Sequence, residues 1–283
     1  MTPESHDLSD TSWLGGPIDA RRLFGPELEA LLDTLHGLRP ADWDKATVPG
    51  WTVRDLAVHV LGDCYGRLGA APDGYRRVFR PAETLEEFIH RTNQEWVDLH
   101  AGDSPASVIG ALEVAGGRLV RRFAAADLEA PALGVSWAGV DPAPAWLDIA
   151  REFTEFWTHR QQIRHAVGLG TDPGPHALST VLDTFLRALP HTLRHTTAPA
   201  GTQIRVIADG PAGGRWTVTA GAGRWSLAGP RGARPAASVL MDTETLWRLC
   251  TRGLDPATAM DRAHIRGEAR LAQAVCRIVS VVY

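Results

Sequence analysis

The sequence has 283 residues, with 29 basic and 33 acidic side chains and a formal net charge of -4. This length predicts one large domain or two ordinary ones. Neither charge sign forms a long run, so we expect no nucleic-acid partner and no binding to anionic membrane. The three cysteines, Cys64, Cys250 and Cys276, form no Cys-x-x-Cys pair, which argues against a disulfide framework and a thiolate zinc site.

The N-terminal residues are acidic and polar, whereas a signal peptide needs a basic start followed by an apolar core. No apolar run reaches the length of about 18 residues that a membrane span requires. These features predict a cytoplasmic protein with no membrane partner. The sequence leaves the oligomeric state open between monomer and homodimer.

The first half of the chain has the apolar periodicity of helices. Residues 1–16 are polar and aperiodic and predict a flexible tail. Apolar residues, mostly leucines, then recur at three- and four-residue spacing and predict a helix at 18–37. Thr52 follows a Pro-Gly-Trp turn and is predicted to cap a second helix, with His59 in its middle. Further helices are predicted at 85–100, from Pro105 onward, and at 146–167. A proline- and glycine-rich loop at 131–144 precedes the last of these helices.

The second half shows alternation typical of strands. After a predicted linker at 171–175 and a predicted helix at 177–195, four short segments joined by glycine-rich turns predict strands in meander hairpins. These strands are predicted at 202–208, 215–220, 224–228 and 237–241. A helix at 242–252, a short extended piece at 264–267 and a closing helix at 268–283 complete the pattern. The predicted fold class is α+β, with a helical bundle at 17–172 and a smaller α+β domain at 176–283.

Three side chains suggest a metal site. Glu155 and His159 lie four residues apart, which places them on one face of a helix. With His59 they make a set of two imidazoles and one carboxylate, typical of catalytic zinc sites that keep a fourth position open. Two alternatives stay open from spacing alone: the histidines and carboxylates form solvated surface stripes, or Glu152 replaces Glu155 as the ligand.

Neighbouring residues suggest supporting contacts. Asp55 and Asp63 flank His59 at four-residue spacing, so either carboxylate is a candidate to bind the imidazole nitrogen that faces away from the metal. Trp51 is predicted to fill the core. Cys64 lies about 140° around the helix from His59 and is not expected to share its ion.

Two runs carry a resemblance to a known family. Residues 50–62, preceded by Trp43, and residues 155–159 resemble the mycothiol-dependent maleylpyruvate isomerase family, within the DinB-like superfamily of metal-binding four-helix bundles. From Ala177 onward the chain is similar to that family's second domain, which resembles sterol-carrier-like α/β folds. The resemblance implies that His59, Glu155 and His159 bind a divalent metal, most often zinc.

The resemblance also implies a thiol cosubstrate such as mycothiol. A divalent cation lowers the pKa of a coordinated thiol, and the thiolate can add to an electrophilic carbon of a small substrate. Elimination after bond rotation would give isomerisation, and retention of the thiol would give transfer. Many family members carry an acidic residue where this chain has Gln161 and Gln162, and Gln162 is kept as a candidate contact to a ligand or substrate. No residue is assigned a catalytic role beyond metal binding.

Two other functions stay open. In one, the metal activates water or a carbonyl group and no thiol takes part. In the other, the chain is a non-catalytic carrier whose C-terminal domain binds an apolar small molecule or lipid. Six apolar residues of the predicted strands would either line that cavity or fill an ordinary core: Ile204, Val206, Val218, Leu227, Val239 and Leu240.

Overall fold

A computed structural model describes residues 10–69, 77–172, 174–228 and 234–281. It contains helices and a mixed sheet, which confirms the predicted α+β class. The helices of the described residues are α1 (Phe24–His36), α2 (Val53–Leu68), α3 (Leu85–Leu99), α4 (Pro105–Ala124), α5 (Ala145–Ala166), α6 (Pro175–Phe185), α7 (Leu189–Thr192), α8 (Thr243–Cys250), α9 (Pro256–Arg262) and α10 (Ala269–Val275). The strands are β1 (Pro131–Ala132), β2 (Ala143–Pro144), β3 (Gln203–Asp209), β4 (Gly214–Ala220), β5 (Trp225–Ser226), β6 (Ala237–Asp242) and β7 (His264–Gly267).

Contacts group the chain into two units. The helical unit comprises the described parts of 20–126 and 152–172, and the mixed unit comprises the described parts of 10–19, 127–151 and 173–281. The division into domains that the sequence suggests, at 17–172 and 176–283, stays a prediction. In the parts of the chain that the structure describes, no helix is both long enough and apolar enough to cross a membrane.

An aromatic cluster joins three helices of the helical unit. Phe24 on α1 packs against Phe123 on α4 and against Phe153 and Phe156 on α5, with ring centroids 4.8, 5.5 and 5.8 Å apart. All four rings are almost fully buried. Large buried aromatic rings contribute strongly to core stability, so this cluster fixes the position of α5 within the unit.

Helix α2 is held at its start and along its length. Thr52 and Asp55 form a reciprocal capping box, in which the Asp55 carboxylate accepts from the Thr52 N–H at 2.8 Å and Thr52 Oγ1 accepts from the Asp55 N–H at 3.3 Å. Trp96 of α3 donates its indole N–H to the Val58 carbonyl oxygen at 2.8 Å. A Cβ atom at Gly62 would lie 2.6 Å from the Trp96 ring. Because Gly62 has no side chain, the Trp96 ring of α3 packs directly against the backbone of α2 at this position.

The sheet of the mixed unit has the strand order β5-β4-β3-β6-β7. β3 pairs antiparallel with β4 but parallel with β6, where residues 204–209 lie beside 237–242. The meander prediction is therefore wrong for β6. β5 has only two residues and exposes too few backbone groups to pair with a six-residue strand, whereas β3 offers β6 a full register.

Prolines and tertiary hydrogen bonds shift several helix ends from their predicted positions. The helix predicted at 18–37 begins only at Phe24, because Pro26 cannot donate an N–H and is tolerated only within the first turn. The helix predicted at 177–195 is broken near Pro190 into α6, a 3-10 turn and α7. The helix predicted at 268–283 ends at Val275, and Ser280 instead donates its N–H to Cys250 and its hydroxyl to Phe185.

The N-terminal tail differs in part from the prediction. Residues 1–9 lie outside the described residues. Within 10–16, however, Ser12–Leu14 forms a 3-10 turn and Leu14 is fully buried. The sequence reasoning also missed α9, a short helix that Asp255 caps by accepting a hydrogen bond from the Thr258 N–H at 2.9 Å.

Candidate metal centre

Helices α2 and α5 bring His59, Glu155 and His159 together. One potential ligand atom from each lies within 4.8 Å of the other two. The two imidazole rings meet edge to face, with centroids 4.8 Å apart. His59 is buried, whereas the side chains of His159 and Glu155 are 13% and 23% exposed. The three side chains that the sequence selected therefore form one cluster that solvent can partly reach.

Each imidazole has one nitrogen beside a polar side chain. His59 Nε2 lies 3.3 Å from Asp63 Oδ2, and His159 Nδ1 lies 2.8 Å from Gln162 Oε1. The opposite nitrogens, His59 Nδ1 and His159 Nε2, are buried and have no hydrogen-bond partner among the described residues. With protons on the nitrogens that face Asp63 and Gln162, the other two nitrogens present lone pairs, as metal-binding histidines require.

Protonation energetics also favour a cation within the cluster. Burial, followed by the positive charges of His159 and Arg77, lowers the pKa of His59 to about 3, although Glu155 opposes this change. For His159 burial is the largest influence and lowers the pKa, but Glu155 and Gln162 outweigh it and raise the pKa above its usual value. His159 Nε2 lies 3.2 Å from Glu155 Oε2. A nitrogen lone pair and a carboxylate oxygen repel each other at this distance, and a cation between them would remove the repulsion.

This donor set fits a divalent ion. Two imidazole nitrogens and one carboxylate oxygen are borderline and hard ligands that suit zinc and its first-row neighbours. A metal ion held by His159 and Glu155 would bind both in their deprotonated form, with the His159 proton kept on the nitrogen that faces Gln162. The buried nitrogens without hydrogen-bond partners provide the structural evidence for this fit.

Two further side chains lie beside the cluster. The Trp51 ring is 5.0 Å from the His59 ring, and its indole N–H donates to Gln94 Oε1 at 2.9 Å. Trp51 is half-buried rather than a core residue. Arg77 Nη2 is 3.8 Å from Asp63 Oδ1. Sequence reasoning missed Arg77, because this residue belongs to no helix or strand and matches no periodic pattern.

Other candidates have different roles in the structure. Asp55 accepts from both the N–H and the hydroxyl of Thr52 at 2.8 Å, so it caps α2 and lies outside the three-residue cluster. Glu152 is also outside this cluster, and its Oε2 lies 3.6 Å from Arg67 Nε. Cys64 is buried, and burial together with the charges of Glu152 and Asp63 raises the pKa of its thiol well above the usual value.

A cleft of about 500 Å³ lies elsewhere on the helical unit. Its lining includes Arg39, Asp42, Arg160 and Asp172 but none of the three clustered side chains. Arg39 and Asp42 pair with each other at 3.0 Å, and Arg160 pairs with Asp172 at 2.8 Å. These four charged groups therefore already have partners, and the chemistry of the donor set identifies the candidate centre better than cavity size does.

Comparison with known proteins identifies one family. Two solved structures are similar to the chain at 15% identity: a mycothiol-dependent maleylpyruvate isomerase, with a TM-score of 0.49, and a histidine-to-alanine mutant of such an isomerase, with a TM-score of 0.48. Each match covers 92% of this chain and 98% of the other. No curated protein matches the chain significantly. Residues 24–164, which include all three clustered side chains, match the mycothiol maleylpyruvate isomerase N-terminal domain, and the chain belongs to that family.

Proposed function

We propose that the protein is a metal-dependent enzyme that uses a low-molecular-weight thiol of the mycothiol type on a small electrophilic metabolite. The reaction is an addition or an isomerisation. The observation that carries this proposal is the convergence of His59, Glu155 and His159, with two buried imidazole nitrogens that lack hydrogen-bond partners among the described residues. Membership of the family supports the thiol.

Each residue of the centre has a distinct task in this proposal. His59 Nδ1, His159 Nε2 and the Glu155 carboxylate would hold the ion, and zinc is the ion that this set of ligands suits best. The metal would lower the pKa of a coordinated thiol and so supply a nucleophile at neutral pH. Asp63 and Gln162 fix the tautomer and the orientation of the two rings, and the Trp51 ring limits access of water to His59.

The fate of the thiol during turnover distinguishes isomerisation from transfer. A thiol that adds to a carbon–carbon double bond and leaves again after bond rotation is regenerated, so isomerisation needs it only in catalytic amounts. A thiol retained in the product is consumed in equal amount with the substrate. Measurement of free thiol during turnover therefore separates the two reactions.

Elemental analysis tests the metal. Protein purified without a histidine tag or chelator is expected to contain about one equivalent of a divalent metal, and His159→Ala is expected to lose it. His165→Ala is a matched control on the same helix, because its Nε2 contacts Thr171 Oγ1 at 2.7 Å outside the cluster. Wild-type protein that takes up no zinc on soaking, or His159→Ala that binds as much as wild type, would overturn the metal site.

Thiol dependence tests the chemistry. Maleylpyruvate, the substrate in the family's name, is the first electrophile to assay, with and without mycothiol. We expect turnover only when both the thiol and the metal are present. Turnover of an accepted substrate with metal but without thiol would support instead the second candidate, in which the metal activates water or a carbonyl group.

The structure favours the core interpretation of the apolar strand residues over a carrier cavity. Ile204, Val206, Val218 and Val239 are fully buried on one sheet face, and α6, α8 and α10 contact the strands that carry them. Leu240 alternates with Val239 and lies on the opposite face, so the six residues do not line one cavity.

A cytoplasmic location, the lack of nucleic-acid and membrane partners, and the choice between monomer and homodimer stay predictions.

A further inference from the structure

The two faces of the mixed sheet differ in chemistry. On β3 the residues Ile204, Val206 and Ala208 point to the apolar core, whereas Gln203, Arg205 and Ile207 alternate with them and point to the other face, here called the polar face. The strand register adds residues of the neighbouring strands to the polar face. Thr217 of β4 and Ser238 of β6 lie directly opposite Arg205 on its two sides. Arg205, Thr217 and Ser238 therefore form a row of three side chains across the strands, with Arg205 in the middle and a hydroxyl group on each side of it.

Arg205 has no counter-ion among the residues that the structure describes. Its Nε is buried and has no hydrogen-bond partner among the described residues. On the same face its closest neighbours along β3 are Gln203 and Ile207, and Thr219 lies opposite Gln203. None of these side chains is acidic. A guanidinium group with a buried N–H and no acceptor is costly in a folded protein, because its lost hydration is not compensated.

We propose that the polar face of the sheet, centred on Arg205, is a binding site for the carboxylate group of a small organic acid. A guanidinium presents parallel N–H donors that match the two oxygens of a carboxylate. The hydroxyls of Thr217 and Ser238 add neutral donors on either side of the row. The inference is independent of the proposed metal and thiol, because it depends only on the mixed unit.

The other polar groups near this row do not neutralise Arg205. Gln203 is buried and donates from Nε2 to Thr219 Oγ1 at 3.4 Å. Arg266, opposite Ser238 on β7, is exposed and carries the same positive charge as Arg205. The acidic residues of the same face, Asp209 and Asp242, lie opposite each other at the other end of β3 and β6. The part of the face around Arg205 therefore carries a positive charge, which a negative ligand would compensate.

Calorimetric titration of the full chain with succinate at neutral pH and low salt tests the proposal. Wild-type protein is expected to bind succinate, and Arg205→Met is expected to weaken binding about tenfold or more, since it removes charge-assisted hydrogen bonds. Arg262→Met is the control: this exposed arginine lies on α9 and not on the sheet, so binding should change by less than about twofold. Succinamide, which has the same length but no charge, should not bind.

Thermal stability separates binding from a structural role. Without ligand, Arg205→Met should melt at the same temperature as wild type or higher, because it removes a buried N–H that lacks an acceptor.

If the acid is the enzyme's own substrate, this variant also raises KM. If it is a separate metabolite, KM is unchanged while succinate binding is lost. Equal binding of succinate to wild type and Arg205→Met, or equal binding of succinamide and succinate, would overturn the proposal, as would a marked loss of stability in Arg205→Met.

Discussion

Gln162 sets the orientation of His159 through a single hydrogen bond. Its Oε1 lies 2.8 Å from His159 Nδ1 and holds the proton there, which leaves Nε2 available. We expect Gln162→Leu to weaken zinc binding about 10- to 100-fold, the usual effect of removing a hydrogen bond to a metal ligand. Competition with a chromophoric chelator measures this affinity. Gln273→Leu, at an exposed position of α10, should leave it unchanged, and equal affinities in the two variants would contradict the proposed contact.

A buried ion pair ties α1 to α5. Arg160 donates to both carboxylate oxygens of Glu27 at 2.5 and 3.1 Å, and the two residues are 3% and 4% exposed. Arg160→Met leaves the Glu27 carboxylate buried and without its main partner, so we expect the free energy of unfolding to fall by about 3–5 kcal/mol. Urea denaturation measures this change. The double variant Glu27→Leu with Arg160→Met should recover most of the loss, and a single variant as stable as wild type would refute the expectation.

Residue spacing selected the three clustered side chains but did not distinguish Asp55 from Asp63. Both aspartates lie four residues from His59, so helical geometry treats them equally. A second pattern was also present in the sequence: Thr52 and Asp55 have the spacing of a capping box, and the Asp55 carboxylate is committed to that cap. Arg77 was not predictable, because its proximity to Asp63 arises from tertiary structure.

The start of α2 matters for the centre because this helix carries His59. Thr52→Ala removes the hydroxyl that accepts from the Asp55 N–H and should lower the free energy of unfolding by about 1 kcal/mol. Thr52→Ser should retain most of the stability, because serine offers the same acceptor. Urea denaturation of both variants provides the measurement. Equal losses in the two variants would show that the threonine methyl group, rather than the cap, stabilises this turn.

Local patterns predicted the helices better than the strand pairing. The cap at Thr52, the proline at position 105 and the long run of apolar periodicity in α5 are properties of neighbouring residues, and the observed helices begin at Val53, Pro105 and Ala145. The parallel pairing of β3 with β6 joins segments about thirty residues apart, and no local signal encodes it. The C-terminal end of the last predicted helix was wrong for the same reason, since the chain leaves the helix after Val275 and Ser280 makes its hydrogen bonds to distant parts of the chain.

At the scale of the whole molecule, the candidate centre depends on a long-range contact between α2 and α5. Sequence spacing places Glu155 and His159 on one helix face, but only the packed bundle brings His59 to within 4.8 Å of them. The aromatic cluster around Phe24 and the Gly62–Trp96 contact hold these two helices within the same unit. A ligand that bridges α2 and α5 should therefore stabilise the folded chain as a whole.

Zinc is expected to raise the melting temperature of the wild-type protein in a concentration-dependent way. Binding to the folded state alone adds about 4 kcal/mol of stability when free zinc exceeds the dissociation constant a thousandfold. His59→Ala and His159→Ala should lose this shift, whereas His165→Ala should keep it, because its side chain lies outside the cluster. Calorimetry with buffered zinc measures the effect. A shift of equal size in His59→Ala and wild type would mean that zinc binds elsewhere on the chain, and the absence of any shift in wild type would remove the metal from the proposed function.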